Sequence, residues 1–181
     1  MIIELTWAEV LLAATTGMHR HVSALRRKLP DKNGHDGAGW NLHIEGACGE
    51  MAAAKALGMF WSGSINTFKD GGDIGRSIQV RTRSRLDYDL IVRPDDPLDA
   101  VFILVLGMAP KFDVAGWILG GAARREEWLA SHGGRPEAWF VPRGALNSDM
   151  SLIHEYFDLE LAPPRCLALE AMPQCLHEVN T

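Results

Sequence analysis

Four side chains of this 181-residue chain have types and spacing suited to chemistry: Glu50, Asp73, Gln79 and Arg81. Asp73 lies in a glycine-rich bend (Gly71, Gly72, Gly75) just ahead of a segment with period-2 patterning. In a strand, Gln79 and Arg81 are two apart and share one face. If the bend folds Asp73 over that face, a carboxylate, a carboxamide and a guanidinium converge. Glu50, in a segment rich in small residues, can add a second carboxylate. Oxygen donors of this kind suit Mg²⁺, which keeps several waters and needs only one or two carboxylates.

Cations crowd the same stretch. Arg76, Arg81, Arg83 and Arg85 alternate or nearly alternate along the chain, with Lys69 just upstream. Such a row can track a phosphate backbone. It can equally pair with Asp87, Asp89, Asp95 and Asp96, leaving a neutral, solvated surface. Trp40, in a polar segment, is the aromatic best placed to stack on a base or a partner, or else to anchor its loop. His19 and His21 are two apart on a predicted helix and diverge, so no histidine metal site is expected. The glycine-rich bend is not a phosphate loop, because no Gly-Lys-Ser/Thr follows it.

The elements that must position these groups are legible. Thr6-Trp7-Ala8-Glu9 is a capping box, with Leu5 and Val10 as a hydrophobic staple. From there Trp7, Val10, Leu11, Ala14, Met18, Val22 and Leu25 recur at helical spacing, which predicts a helix over about 7–28. Residues 31–41 read as a polar loop. A second helix is predicted over about 44–57, capped by Gly58. Strands are predicted over 77–83, 88–93, 100–106, 112–119 and 138–141, with a short helix over 123–131. The apolar run Ala100–Leu106 should be a central strand covered on both faces. Pro163, Pro164 and Pro173 mark 151–181 as a C-terminal extension to a single domain over 1–150, with its core over about 42–142.

Bulk properties narrow the class. With 47% hydrophobic and 23% charged residues, the composition is that of a globular domain. A net charge of −5 argues against a nonspecific nucleic-acid coat, though not against an enzyme that concentrates cations in one cleft. No apolar run approaches the ~20 residues of a membrane span, and the start lacks signal-peptide features. Cys48, Cys166 and Cys175 show no metal-like spacing and fit a reducing compartment. The expectation is a cytoplasmic protein, in a host cytoplasm if phage-encoded.

The order of elements and the Glu50, Asp73, Gln79, Arg81 set resemble the PD-(D/E)XK nuclease superfamily over roughly residues 42–120. The segments GACGEMAAAKALG and IQVRTRSRLDYDLIV also look like small phage-encoded members. The resemblance implies an α/β, restriction-endonuclease-like core: a central mixed sheet flanked by helices, here with an added N-terminal helix. It makes Asp73 the first acid, Gln79 the second position, Arg81 the lysine position and Glu50 the helix glutamate. Asp73, Glu50 and the Val80 carbonyl would hold Mg²⁺ or Mn²⁺, and Lys69, Arg76, Arg83, Arg85 and Trp40 would contact nucleic acid. The implied activity is hydrolysis of DNA, or of RNA, and a homodimer is a further implication, because many relatives cut two strands with two subunits. Two departures stand out: Gln79 is uncharged, and Arg81 stays protonated and cannot serve as a base. The alternatives are a decayed nuclease fold that binds nucleic acid or a host protein, and a phage accessory or structural protein.

Overall fold

The capping box at Thr6 forms as the spacing predicts. The Thr6 N–H donates to Glu9 Oε2 at 2.6 Å and the Glu9 N–H donates to Thr6 Oγ1 at 3.3 Å. The computed structural model describes residues 1–28, 39–65 and 71–161, and of 157–161 the backbone alone. A short strand β1 (Ile2–Glu4) leads into helix α1 (Trp7–Arg26). Helix α2 (Gly39–Leu57) starts earlier than its apolar pattern suggests, so Trp40 occupies its first turn rather than a loop. It ends as expected at Gly58, whose φ of +63° is left-handed.

The two helices meet through small side chains. The buried face of α1 is Ala13, Thr16 and Gly17. A Cβ on Gly17 would come within 2.5 Å of the His43 carbonyl oxygen, so the backbones touch only because none is there. Trp7, Leu11, Met18, Val22 and Leu25, the large members of the apolar stripe, face solvent instead. Helix α2 is buried nearly all round from Ala47 to Ala54, as a helix sandwiched between other elements must be.

The remaining strands are β2 (Ile78–Arg83), β3 (Leu90–Val92), β4 (Val101–Met108), β5 (Lys111–Leu119), β6 (Leu129–Ala130) and β7 (Ala138–Val141). They form two sheets among the described residues, ordered β1-β5-β4-β2 and β3-β7-β6. In the first, β4 and β5 are an antiparallel hairpin, while β2 runs parallel to β4. Residues 101–106 of β4 are all buried, as expected for a central strand. Phe102, Leu104 and Leu106 pack with Leu90, Val92 and Val141 of the second sheet. The opposite face of the sheet meets α2, where Gly49 abuts Thr82 of β2.

Two further local expectations shift. The strand read over 88–93 shortens to β3, which leaves for the second sheet, so β2, β3 and β4 do not form one continuous meander. The helix read over 123–131 is a single 3-10 turn, Glu126–Trp128, running straight into β6. Arg125 is extended there and makes no side-chain cap, while Leu129 and Ala130 pair with Trp139 and Ala138. Pairing across the sheet outweighs the helix propensity of the segment. The chain divides into two units, Met1–Met150 and Ser151–Thr181. The described part of the second is helix α3 (Ser151–Leu161). Among the described residues no helix is long and apolar enough to cross a membrane.

Candidate functional site

Strand β2 is the terminal strand of its sheet, so half of its backbone groups point away from β4. The Ser77 carbonyl accepts from Val101 N–H of β4 at 2.9 Å. By alternation, Ile78 and Val80 turn their backbone groups to the open edge. The bend before β2 closes onto this edge. Asp73 and Ile74 N–H groups donate to the Ile78 carbonyl at 2.7 and 3.2 Å. The Asp73 carboxylate then accepts from the Val80 N–H at 2.8 Å. Ile74, 1% exposed, pins the bend from below. Asp73 therefore sits at the rim of β2 against the Val80 N–H, not over the face that carries Gln79 and Arg81.

Glu50 reaches the same rim from α2. A Cβ on Gly49 would overlap Thr82 Oγ1, so glycine alone lets this turn of helix approach β2 so closely. The Glu50 side chain is buried and held by three N–H donors. Arg20 of α1 donates from Nη1 to Oε1 at 2.5 Å and from Nη2 to Oε2 at 2.8 Å, and Trp61 Nε1 donates to Oε2 at 3.1 Å. Arg20 is itself aimed by a hydrogen bond from Nε to the Ser64 carbonyl at 2.9 Å. Burial works against the Arg20 charge, but the Glu50 carboxylate outweighs it and holds the guanidinium pKa above its ordinary value. Asp73 is under the opposite pressure. Burial, reinforced by the nearby Glu50 charge, pushes its carboxyl up to about 6, against the pull of the Val80 N–H, Arg81 and Arg20.

Gln79 and Arg81 are together, but on the other face of the sheet. In register they stand beside Phe102 and Leu104. Arg81 Nη2 donates to both oxygens of Asp96 at 2.9 Å, and Nε donates to the Ile91 carbonyl at 3.3 Å. Its Nη1 reaches the Gln79 amide oxygen at 3.5 Å, and its guanidinium lies 5.0 Å from the Phe102 ring centre. The four-residue set thus resolves into two pairs on either side of β2, with Asp73 and Glu50 on the α2 side.

Among the proposed nucleic-acid contacts, Arg83 and Arg85 share one aromatic. Their guanidinium carbons lie 4.4 and 5.3 Å from the Tyr88 ring centre. Arg85 is also paired with Asp87 at 2.7 Å, as the neutral-surface reading has it. Arg83 has no carboxylate partner among the described residues. Burial lowers its pKa, and Arg135 and Arg93 nearby add to the effect against Tyr88 and Asp89. Arg76 is exposed in the bend. Trp40 packs against His21 with ring centres 4.4 Å apart, some ten residues and about 15 Å along α2 from Glu50. Lys69 lies outside the described residues.

Arg20, Trp61, Tyr88 and Asp96 complete these arrangements, and the sequence reading assigned none of them a role in the site. The signal for Arg20 was present: it is the one cation on a face otherwise made of Ala13, Thr16 and Gly17. No group of three or more His, Cys, Asp or Glu side chains among the described residues is arranged to hold a metal ion. The hard oxygen donors at the β2 rim are the Asp73 and Glu50 carboxylates and the Val80 carbonyl. Comparison with known protein families, curated proteins and solved structures yields no match.

Proposed function

We propose that this chain is a metal-dependent nuclease that hydrolyses DNA phosphodiester bonds, on a restriction-endonuclease-like core of PD-(D/E)XK type. The observation that carries the reading is Asp73, a carboxylate held by the Val80 N–H at the edge of β2 and within electrostatic reach of a second carboxylate, Glu50. Burial and Glu50 both disfavour its charge. A divalent cation relieves that strain, because it replaces the proton that the carboxyl otherwise retains up to about pH 6.

The donor set fits Mg²⁺ or Mn²⁺. Asp73 and the Val80 carbonyl would hold the ion, and Glu50, tied by Arg20 and Trp61, would act mainly through its charge. With Arg20 offsetting Glu50, the rim carries close to one net negative charge. When bound, the ion supplies Lewis-acid polarisation of the phosphate and a more acidic water. Asp73 orients it, the Val80 N–H fixes Asp73, and the Arg20–Glu50 fork keeps the rim from collapsing. Arg83, stacked on Tyr88, lies by alternation on the far face of β2 with Gln79 and Arg81, and there offers a positive charge to a phosphate that passes the strand's edge rather than to one at the rim.

Incubation of the protein with duplex and single-stranded DNA and RNA in Mg²⁺ or Mn²⁺ tests the reading, with Asp73→Ala as the control for contaminating nucleases. Cleavage that needs the cation and disappears in Asp73→Ala supports it; cleavage that survives the substitution, or none on any substrate, sinks it. A second reading has its own observation. Arg81, at the position of the superfamily's lysine, is engaged by Asp96 through both carboxylate oxygens. That commitment favours a decayed site on a nucleic-acid-binding module. Retained DNA binding without cation-dependent cleavage selects it.

A further inference from the structure

Helix α1 carries its large apolar residues on the wrong side for its own domain. Trp7 is 75% exposed, Leu11 68%, Met18 40%, Val22 42% and Leu25 58%. At 3.6 residues per turn these five lie within about 60° of one another, roughly 140° around the helix from the Ala13, Thr16, Gly17 face packed on α2. With Ala14 between them they form a straight seam of 3- and 4-residue steps, the pattern of a helix that packs on another helix. They expose roughly 550 Å² of apolar side chain, at the upper end of what a monomer leaves in water. A stable interface buries about 800 Å² per partner, core and polar rim together.

We infer that this seam is a homodimer interface in which α1 packs antiparallel against α1 of a second copy. Four of its six residues exchange places across a twofold axis beside residue 16, while Leu11 and Val22 fall opposite His21 and Val10. This axis sets Trp7 opposite Leu25 of the second copy and Ala14 opposite its Met18, so a large residue meets a small one at the centre. Charge selects the antiparallel sense. Arg26, Arg27 and Lys28 cluster at the C-terminal end, and Glu4 stands at the other, whereas Glu9 is already engaged by the Thr6 cap and by Lys55 at 2.8 Å. Parallel helices would set the three cations against three cations; antiparallel helices oppose them to Glu4 and align the two macrodipoles favourably. At the N-terminal end Glu4, Leu5, Thr6, Trp7 and Pro110 line an open pocket of about 440 Å³. The antiparallel arrangement delivers the second copy's Leu25 to it. The Asp73 and Glu50 rim is not part of this seam, so the inference stands apart from the nuclease reading.

Sedimentation velocity and light scattering on the full chain, from micromolar to hundreds of micromolar, test it. The expected species has twice the 19.9 kDa chain mass. Leu11→Glu and Met18→Glu should each weaken association by more than about 30-fold, as loss of a hot-spot residue does. Their circular dichroism should match the parent, because both residues are exposed in the monomer. A Trp7→Cys/Leu25→Cys variant should oxidise to a dimer linked between position 7 of one chain and position 25 of the other, read by peptide mass mapping. Links of 7 to 7 and 25 to 25 would overturn the antiparallel sense. A monomer at every concentration, with the stripe covered by another segment of the same chain, would overturn the proposal. So would a dimer untouched by both glutamate variants.

Discussion

Arg20 of α1 holds Glu50 of α2 through two parallel hydrogen bonds of 2.5 and 2.8 Å, both side chains largely withdrawn from solvent. This fork is the bond between the two helices nearest the candidate site, and it presets the charge that Asp73 feels. Removing one partner leaves an uncompensated charge in a dry environment. Arg20→Ala should therefore cost about 3–5 kcal/mol in urea unfolding. Replacing both together by apolar residues should recover much of that loss, and a double-mutant cycle reads the difference. A double variant whose loss equals the sum of the two single losses would show that the pair is not coupled.

At the proposed metal site, Asp73 holds a proton that favours stability and opposes cation binding. Its folded pKa of about 6 stands above the ~3.9 of an unfolded aspartate. The native state thus holds the proton more tightly, and the stabilisation is complete below pH 3.9 and lost as pH rises through 6. Asp73→Asn keeps an oxygen to accept from Val80 N–H but never ionises. It should raise stability at pH 7–8 by about 1–2 kcal/mol, solvent around the half-buried side chain limiting the gain. It should also flatten the pH dependence between 4 and 6 while abolishing cation binding measured by calorimetry. A destabilised Asp73→Asn at pH 8 would contradict the charge strain argued for this rim.

Gly49 is where α2 comes closest to β2. Gly49→Ala inserts a methyl into Thr82 and should cost about 1–3 kcal/mol, the usual range for overpacking. Because the displaced turn carries Glu50, cleavage should fall further than stability alone accounts for. Gly49→Ala combined with Thr82→Ser removes one of the clashing atoms and should recover part of both losses. Thermal melts and single-turnover assays on the same samples separate the two effects.

Arg83 and Arg85 stack on the same ring but are not equivalent. Arg85 is exposed and offset by Asp87, whereas Arg83 has no carboxylate partner among the described residues. Arg83→Ala should weaken DNA binding and lower the slope of log affinity against log salt by about one. Arg85→Ala should change that slope less. Fluorescence anisotropy across a salt series decides it, and equal slopes for both variants would remove Arg83 from the phosphate track.

Local chemistry was legible before any coordinates. The Thr6 capping box, the Gly58 cap, the alternation of β2 and the wholly apolar β4 all depend on near neighbours in sequence, and each forms where its residues predict. The mixed α/β class follows from the same patterns. What near neighbours could not convey was which side of each element meets which partner. The apolar stripe of α1 has the period of a core face, yet the small residues of the opposite side, closing on α2 at Gly17, win the interior. The 123–131 segment has the composition of a helix, yet partner strand β7 takes its last residues.

The four-residue set met the same limit. Its spacing determined that Gln79 and Arg81 share a face and that Asp73 precedes them in a bend. Only the tertiary structure decided that the bend closes on the edge of β2, because Val80 and Ile78 had unpaired backbone groups there to satisfy. The same step brought Asp73 beside Glu50 and Arg20 and left Arg81 to Asp96 on the far face. Residue types and periodicity settle what a segment can become. Which charges end up within reach of one another is settled by backbone hydrogen bonds and close packing between elements far apart in the chain.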